Sequence, residues 1–272
     1  MSGIVISERG PTIGGRAARQ AGEWIPALVV AAVVIGAWEG AIAAFHIQQF
    51  LLPKPTDIVK ACWEQRHVLW PAGWYTFKEA LGGFAVGSAL GVVAATLVSR
   101  FKMLGTALMP IAIAANAVPI IAFAPIFNAW FDPLSPSSKM AIAAVLCFLP
   151  VMVNTLRGLQ SASPRQIELM RSYACSDFEI WRRVRVPTAL PYVFTALKVA
   201  SVLAMIGAIV GEYFGGSFGA LGVLINSDAN IFNFTRAWAG ILVASLLGLA
   251  MYGGVVLAER LVVRAAPRQP NS

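Results

Sequence analysis

Six long apolar segments dominate this sequence, and they restrict the folds that it can adopt. The segments cover about 24–45, 79–99, 104–130, 139–158, 190–213 and 237–259. A helix needs roughly 20 apolar residues to cross the hydrocarbon core of a bilayer, and each segment has about that length or more. Charged residues make up 12% of the chain, against about 25% in a typical soluble domain. The sequence therefore predicts an all-α polytopic membrane protein with six transmembrane helices.

The lysine and arginine residues predict the orientation of these helices. Of the 21 basic residues, 14 lie near the two termini or in the gaps after the second and fourth segments. Because cytoplasmic loops of membrane proteins are enriched in lysine and arginine, these parts are expected in the cytoplasm. The expected divisions are a cytoplasmic tail at 1–23, a six-span domain at 24–262 with a cytoplasmic loop at 161–188, and a cytoplasmic tail at 263–272.

Other classes of protein fit the sequence less well. The net charge is +8, but the basic residues alternate with apolar runs and are not interleaved with aromatic residues as in nucleic-acid binders. The basic N-terminus followed by an apolar run resembles a signal peptide. That run, from Trp24 to about Phe45, is longer than the usual apolar region of about 7–15 residues, so an uncleaved first span is favoured.

The cysteine and histidine residues predict neither a disulfide nor a metal site. Cys62, Cys147 and Cys175 are widely separated, and in this orientation Cys62 alone faces outside, so no intrachain disulfide is expected. His46 and His67 have no metal-ligand spacing with the cysteines. No metal ion or cofactor is expected.

Prolines and glycines predict how the apolar segments are shaped and packed. The third segment contains Pro110, Pro119 and Pro125, and because proline removes a backbone donor, this helix is expected to be bent or broken. Glycine recurs at every fourth position of the second and fifth segments, at Gly83, Gly87 and Gly91 and at Gly207, Gly211 and Gly215. That spacing aligns the glycines on one helix face, where another helix can approach closely. Packing within the chain is favoured over a dimer seam.

The gap after the fourth segment is densely charged. Residues 167–187, with the sequence IELMRSYACSDFEIWRRVRVP, hold seven charged side chains. Just upstream, Ser163 and Pro164 suit the first positions of a helix, and Gln166 completes a capping-box pattern with Ser163. A short helix is therefore predicted to begin here.

A second short helix is predicted to follow after a break near Ala174 and Cys175. Its start is the S-x-x-E pattern of Ser176 and Glu179, and Pro187 is expected to end it. Each helix has a narrow apolar stripe, formed by Ile167, Met170 and Ala174 on the first and by Phe178, Trp181 and Val184 on the second.

Two functions fit such a loop. A basic amphipathic connector that lies on lipid headgroups accounts for the arginine residues and for Trp181. A surface connector, however, needs neither two caps nor a sharp break. A projection of two helices with an apolar tip suits insertion into a groove on a partner protein, so partner docking is favoured.

The loop also resembles the EAA loop of ABC importer permeases, whose pattern is E-A-A-x3-G-x9-I-x-L-P. Glu168 and the run 184–187, VRVP, stand at matching positions. Leu169 and Met170 replace the two alanines, and Ala174 replaces the glycine. The last departure bears on the geometry of the break, because glycine adopts positive φ at low cost.

The resemblance extends over nearly all of the chain from about residue 26 to 262. It is carried by LLPKPTDIV (51–59), TFKEALGGFAVGSALG (76–91), VPIIAFAPIFNAWF (118–131), SSKMAIAAVLCFLPVMVNTLRGL (137–159) and LPYVFTALKVA (190–200). These segments are similar to the branch of the family that imports alkanesulfonates, taurine, nitrate and vitamin precursors.

Such permeases pair two membrane subunits with two cytoplasmic ATPase subunits and an extracytoplasmic solute-binding protein. The resemblance therefore implies a bacterial inner-membrane protein, expected to be a homodimer, whose loop at 161–188 supplies the coupling helix that fits a groove on the ATPase. The residues that it implies for this contact are Glu168, Arg171, Ser172, Ala174, Phe178 and Trp181.

No catalytic residue is expected in this chain. The sequence contains no G-x-x-x-x-G-K-[ST] phosphate-binding motif, so ATP hydrolysis is expected on a separate subunit. Residues 215–219, GGSFG, match the nucleophile-elbow pattern G-x-S-x-G, but that motif requires a preceding strand. Here it follows an apolar segment predicted to be helical, and a flexible external loop is favoured.

Polar residues within the apolar segments are candidates for the translocation path. Asn116 and Asn128 lie in the proline-rich third segment, and broken helices with polar side chains often line water-filled paths. Hydrogen bonding between helices is the alternative for these residues and for Asn154. Glu212 is the stronger acidic candidate for the path and Glu39 the weaker one, and both fall near the outer ends of their spans.

The sequence thus predicts the permease subunit of an ATP-driven importer for a small organic solute. A vitamin or vitamin precursor, such as riboflavin or hydroxymethylpyrimidine, is slightly favoured over sulfonate, taurine or nitrate, because the spans contain no cluster of arginine and lysine that would hold an anion. The alternative is an autonomous secondary transporter or channel. It would need paired acids or a histidine relay near the midplane, and no single segment contains such a pair.

Overall fold

The computed structural model of the chain describes residues 13–48, 51–100 and 119–265, with side-chain surroundings for 25–48, 51–100, 119 and 122–262. Within these ranges the regular secondary structure is helical and no strand occurs. The α-helices of this part are α1 Ile13–Ala44, α2 Pro55–Glu64, α3 Arg66–Ser99, α4 Ala124–Phe131, α5 Pro136–Gln160, α6 Pro164–Ser172, α7 Asp177–Ile180, α8 Val186–Tyr213, α9 Leu221–Asn230 and α10 Phe234–Ala265. A 3₁₀ turn at Ile120–Phe123 precedes α4, and a π-helical turn at Trp181–Arg185 joins α7 to α8.

Five helical segments in the described part are long and apolar enough to cross a membrane. They are Ile25–Ala44, Arg66–Ser99, Pro136–Gln160, Asp177–Tyr213 and Phe234–Val262. They confirm five of the six predicted spans and the all-α fold class. The two shorter helices α2 and α9 lie in gaps between the predicted spans, where the sequence analysis predicted no element.

The third predicted span, 104–130, falls mostly outside the described residues, and so do Pro110 and Asn116. Its described end begins as the 3₁₀ turn and continues as α4, with Pro125 in the first turn of that helix. The helix type therefore changes between Pro119 and Pro125. The described part continues as helix from Ile120 to Phe131, so the bend or break of this segment stays a prediction.

The helix α3 starts earlier than the predicted boundary at about residue 79. Its first turns carry Trp70 and Trp74, which are both more than half exposed, together with Arg66 and Lys78. Tryptophan is typical of the membrane–water interface. At 1.5 Å per residue, a helix of 34 residues is about 51 Å long, whereas the hydrocarbon core is about 30 Å thick. The predicted span lies within this helix, and the turns before residue 79 were not predicted because they carry interface residues and not a continuous apolar run.

Pro187 does not end the second helix of the charged loop, as the sequence analysis expected. The backbone is α-helical at Arg185 and Val186, and Pro187 lies in the first turn of α8. In the π-helical turn, the N–H of Val186 donates to the carbonyl of Trp181, five residues earlier. Proline normally interrupts a helix because it lacks an N–H and crowds a carbonyl four residues earlier. The single π turn changes the hydrogen-bond register just before Pro187, and α7 therefore continues into α8.

The core is built where α5 packs against α3 on one side and α8 on the other. Glycines make these contacts close. A Cβ atom added at Gly91 would lie 2.8 Å from the carbonyl oxygen of Phe148, and one at Gly207 would lie 2.8 Å from Cα of Ala143. Gly83 and Gly87 also face the α5 backbone. The prediction of packing within the chain is confirmed, except that Gly215 lies beyond the end of α8.

Helices α8 and α10 are joined by an ion pair inside the predicted spans. Lys198 Nζ lies 2.6 Å from a carboxylate oxygen of Glu259, and both side chains are 24% exposed. An intramembrane charge is costly unless it is paired. This contact accounts for the one basic residue that the sequence places in the middle of an apolar segment.

The helix α1 lies at the edge of the bundle. Most of its described side chains from Ile25 onward are exposed. Its contacts with the rest of the chain include buried Ile42 and the edge-on pair of Trp38 and Trp238, whose ring centroids are 5.4 Å apart. An apolar helix with so little packing is suited to face lipid.

We expect Gly87→Ala to lower the stability of the protein by about 1–3 kcal/mol, as overpacking of a dense core does. The added methyl group would collide with the backbone of Ala144, which has no rotamer that relieves the contact. The measurement is the thermal unfolding temperature of the detergent-purified chain. Gly253→Ala is the matched control, because nothing lies within 4 Å of the added atom. Equal unfolding temperatures for the two variants would contradict this account of the core.

Candidate functional site

The charged loop folds into a projection of two helices, residues 163–187, which we call the knuckle. It consists of α6, a break, α7 and the π-helical turn. It follows the end of α5 and precedes α8, so two long helices of the bundle support it. No side chain of α6 is fully buried.

The break in the knuckle is a tight reversal centred on Ala174. This residue has φ of +53°. The N–H of Ala174 donates to the carbonyl of Arg171 at 2.9 Å, and the N–H of Cys175 donates to the carbonyl of Met170 at 3.1 Å. This pair of bonds is the Schellman motif, in which the residue at the reversal is usually glycine. Alanine thus adopts the left-handed conformation that the glycine of the family pattern adopts at lower cost.

The second helix of the knuckle starts with the predicted capping box. The N–H of Glu179 donates to Ser176 Oγ at 3.3 Å, and the N–H of Ser176 donates to Glu179 Oε2 at 2.9 Å. The first predicted box is wrong. Ser163 stands at the N-cap of α6 and Pro164 at the first helical position, but no side-chain cap bond forms, because the carbonyl of Ser163 accepts from Gln166 instead.

The residues predicted to contact an ATPase lie mostly on the outside of the knuckle. Glu168, Arg171, Ser172, Ala174 and Phe178 are exposed, and Trp181 is half-buried. The Phe178 and Trp181 rings stack with centroids 6.0 Å apart and an interplanar angle of 23°. Ser172 Oγ donates to the carbonyl of Leu169 within its own helix.

Two further residues of the knuckle were not among the predicted contacts. Leu169 and Tyr173 are 57% and 73% exposed and stand four positions apart on α6, which places them on one helix face. Ile167 and Met170, predicted to form the apolar stripe, are half-buried toward the rest of the chain. The four-residue spacing of Leu169 and Tyr173 is the sequence signal that could have identified this exposed pair. Of the predicted stripe of Ile167, Met170 and Ala174, Ala174 alone is exposed, because the sequence does not indicate which apolar side of α6 faces the bundle.

A buried polar cluster lies at the opposite end of the bundle, around Glu212. Thr76 Oγ1 donates to Glu212 Oε1 at 2.6 Å, and the N–H of Gly222 donates to Glu212 Oε2 at 2.7 Å. The N–H of Leu221 donates to Thr76 Oγ1 at 3.0 Å. Leu221 and Gly222 form the first turn of α9, whose N–H groups have no partner within the helix. Side chains of α3 and α8 thus cap α9.

Asn128 belongs to the same end of the bundle. Its Nδ2 donates to the carbonyl of Gly211 at 3.4 Å, next to Glu212, and its Oδ1 accepts from the hydroxyl of Ser138. Lys139, which is 1% exposed, donates to the carbonyls of Pro133 and Ser135. The structure therefore brings together two of the predicted path residues, Asn128 and Glu212, in the packed interior of the subunit. The third, Asn116, lies outside the described residues.

The carboxyl group of Glu79 completes this cluster. Glu79 is 2% exposed, one of its carboxylate oxygens is enclosed without a hydrogen-bond partner in the described part of the chain, and the charges of Glu212 and Lys139 act on it. No single apolar segment contains two acids, so the sequence analysis found no paired acids. The fold forms the pair from two different helices, α3 and α8.

The remaining polar candidates have local partners. Glu39 accepts from Thr56 Oγ1 at 2.8 Å, and Asn154 donates to the carbonyl of Pro150 within α5 at 2.9 Å. The GGSFG run at 215–219 follows the helix α8, and the nucleophile-elbow motif requires a strand there.

Comparison with known proteins identifies the family. Residues 87–264 match the family described as the binding-protein-dependent transport system inner membrane component. The chain belongs to this family. The matched region includes the whole knuckle and the two long helices that support it, α5 and α8. The protein is thus the membrane-spanning permease component of an ABC importer, a class of transporter that works with an ATPase and a solute-binding protein.

Curated relatives cover most of the chain. The riboflavin transport system permease protein RibX of Chloroflexus aurantiacus is 30% identical over 89% of this chain and 91% of its own length. The formylaminopyrimidine transport permease protein ThiX of Halalkalibacterium halodurans is 32% identical over 79% of this chain and 86% of its own length. A putative aliphatic sulfonates transport permease protein, SsuC of Bacillus subtilis, is 27% identical over 89% of this chain and 87% of its own length.

Solved structures share the fold. An amino acid ABC transporter chain matches with a TM-score of 0.56 and 16% identity, over 75% of this chain and 96% of its own. A chain of the MetNI methionine ABC transporter matches with a TM-score of 0.54 and 20% identity, over 76% of this chain and 97% of its own. At these identities the likeness concerns the fold.

We expect Ala174→Gly to stabilise the break by about 0.5–1 kcal/mol, because the cost of the left-handed conformation that it removes, about 1–2 kcal/mol, exceeds the entropy that glycine gains in the unfolded chain, about 0.5–1 kcal/mol. Ala174→Val is expected to destabilise it, since a β-branched residue is strained at positive φ. Amide hydrogen exchange at positions 174 and 175, whose N–H groups close the motif, measures both effects. Exchange should slow in the first variant and accelerate in the second. Equal rates in all three proteins would show that φ at this position does not control the break.

Proposed function

We propose that the knuckle of this permease is the coupling element that docks on a separate cytoplasmic ATPase subunit, which hydrolyses the ATP. The observation that carries the proposal is the exposed apolar group of Leu169, Tyr173 and Phe178 on an otherwise polar projection. Exposed apolar residues on a helical projection are suited to a groove on a partner. Glu168, Arg171 and Ser172 lie beside them on α6 and would surround the apolar contact with polar ones.

The knuckle is rigid enough to transmit a movement. The Schellman reversal fixes the direction of α6, and the capping box fixes the start of α7. Because α7 runs without interruption through the π turn into α8, a displacement of the knuckle would move a helix that crosses the whole bundle. The proposed mechanism is that ATP binding on the partner moves two such knuckles together and switches the path between inward-open and outward-open states.

The orientation that we propose places both termini and the knuckle in the cytoplasm of a bacterial cell. The tails at 1–23 and 263–272, which flank the membrane domain in the sequence, would both be cytoplasmic. The excess of arginine in the knuckle supports this orientation through the positive-inside rule. A solute-binding protein would then dock at the opposite end, near α9 and the exposed loop that carries Phe218.

We also propose that a second copy of this chain completes the path. In the described part of the chain, the space between α3, α5 and α8 is closed by glycine contacts, so a solute would pass along the surface of the bundle and not through it. If one subunit forms one wall of the path, a second subunit is needed to form the opposite wall. The roles of Asn116, Asn128 and Glu212 in that path stay predictions. The hydrogen bonds of Glu212 support a role in holding the outer end of the bundle together.

The proposed substrate is a small organic solute, a vitamin or vitamin precursor. Relatives named for riboflavin and for formylaminopyrimidine are 30% and 32% identical, and the relatives named for sulfonates and nitrate are 23–27% identical. Two basic side chains within the described spans support the same class, because Lys139 and Lys198 are engaged in contacts within the subunit and are not free to hold an anion.

One observation favours a second candidate function, an autonomous secondary transporter. The buried pair of Glu79 and Glu212 beside Lys139 is an arrangement that proton-coupled or ion-coupled transporters use. The pair lies near the end of the bundle, however, where both Glu212 oxygens are occupied by α9 and Thr76. Dependence of uptake on ATP separates this candidate from the first.

We expect Phe178→Asp to abolish co-purification of the ATPase encoded beside this permease, with at least about tenfold less ATPase recovered, because an unpaired carboxylate in an apolar groove is strongly unfavourable. Glu168→Lys is a second exposed variant expected to weaken the complex. Phe218→Asp is the matched control, since Phe218 is 90% exposed at the other end of the bundle. Equal recovery of the ATPase with all three variants would remove the knuckle as the docking element.

A further inference from the structure

A polar cleft of about 220 Å³ lies between the knuckle and the end of α3. Ser99 and Arg100 line it from α3, Arg171 from α6, and Asp177 and Arg185 from the far side of the break. These residues come from three separate parts of the chain, and the fold brings them to one place. The proposed docking contact shares Arg171 and Trp181 with this lining, but it assigns no role to the cleft itself.

The cleft has a surplus of positive charge. Three guanidinium groups line it with a single carboxylate, that of Asp177. Among the described residues, Arg100, Arg171 and Arg185 have no ion pair, whereas Arg183 in the same segment pairs with Glu179 at 3.8 Å. Guanidinium groups that line one cleft and have no ion pair repel one another, and an anion between them offsets that repulsion.

The shape and chemistry of the lining suit an oxyanion with several acceptor atoms. Guanidinium groups bind phosphate oxygens in pairs through parallel N–H bonds. Trp181 also lines the cleft, and its indole Nε1–H is enclosed without an acceptor in the described part of the chain. The volume accommodates a tetrahedral anion together with water molecules, each of which occupies about 30 Å³ in the liquid.

The cleft lies where the apolar part of the bundle ends. The long span of α3 ends at Ser99, and the charged knuckle begins on the other side of the cleft. Basic pockets at this level, on the face that carries the arginine-rich loops, lie at the depth of phospholipid headgroups. The exposed residues Leu169, Tyr173 and Phe178 do not line the cleft, so an anion here leaves the apolar face of the knuckle free.

We propose that the cleft binds a phosphate group, presented by the headgroup of an anionic phospholipid or by a free phosphate ion. The bound group bridges Arg100 at the end of α3 with Arg171 and Arg185 of the knuckle. It thereby fixes the position of the knuckle relative to the bundle. This site goes beyond the coupling function and is measured on the permease alone, so that its outcome does not depend on the ATPase.

The test is calorimetric titration of the full chain, purified in a neutral detergent, at constant ionic strength. The probes are short-chain phosphatidylglycerol, short-chain phosphatidylcholine and inorganic phosphate. In Arg171→Gln/Arg185→Gln we expect the dissociation constant of the bound probe to rise at least about tenfold, because charge-assisted hydrogen bonds are lost. The matched control is Arg182→Gln/Arg183→Gln, which removes the same number of charges from the same segment outside the cleft. We expect this control to change the dissociation constant of the probe by less than about twofold.

A third variant guards against loss of folding as an explanation. Asp177→Asn removes the one negative charge of the cleft, so it is expected to tighten binding about threefold or more, which an unfolded protein would not do. Binding of phosphatidylglycerol alone supports the site with a lipid as the source, and binding of inorganic phosphate supports it with a soluble source. The proposal is overturned if no probe binds, or if the cleft variant and its control bind equally.

Discussion

The close approach of α3, α5 and α8 is the contact on which the rest of this structure depends. A membrane offers no hydrophobic gain for bringing two apolar helices together, so helices associate through close packing and hydrogen bonds. Glycines at positions 83, 87, 91 and 207 let the backbones meet at distances that no other residue permits. Once these three helices are fixed, both ends of the bundle are fixed as well.

At one end, this packing supports the polar cluster, and at the other it supports the knuckle. Glu212 and Thr76 meet because α3 and α8 both lie against α5, and together they hold the first turn of α9. At the other end α5 leads into the knuckle and α8 leads out of it. The π turn before Pro187 keeps the knuckle continuous with α8, so that a force applied to the knuckle would act on the same helix that carries Glu212.

The sequence predicted those features that depend on local patterns. Five of the six apolar segments, the capping box of Ser176 and Glu179, and the break at Ala174 follow from residues close together in the chain, and each is present in the described part. Features that depend on distant residues were not predictable in this way. The cap of α9 joins Thr76 to Leu221, 145 positions away, and the pairing of Glu79 with Glu212 needs two helices in register. The predicted helix end at Pro187 was wrong because one π turn has no sequence signature. The exposed face of α6 was not predictable because it depends on where the bundle lies.

The central claim is that this permease moves its solute only when an ATPase acts on the knuckle. The most direct measurement is uptake of riboflavin, of a formylaminopyrimidine and of an alkanesulfonate into proteoliposomes that contain the permease with its ATPase and binding protein, or the permease alone. We expect one of these solutes to accumulate in the complete system with hydrolysable ATP, and none to accumulate without the ATPase. Accumulation by the permease alone, driven by a proton or sodium gradient, would contradict it and would assign the function to the buried acid pair instead.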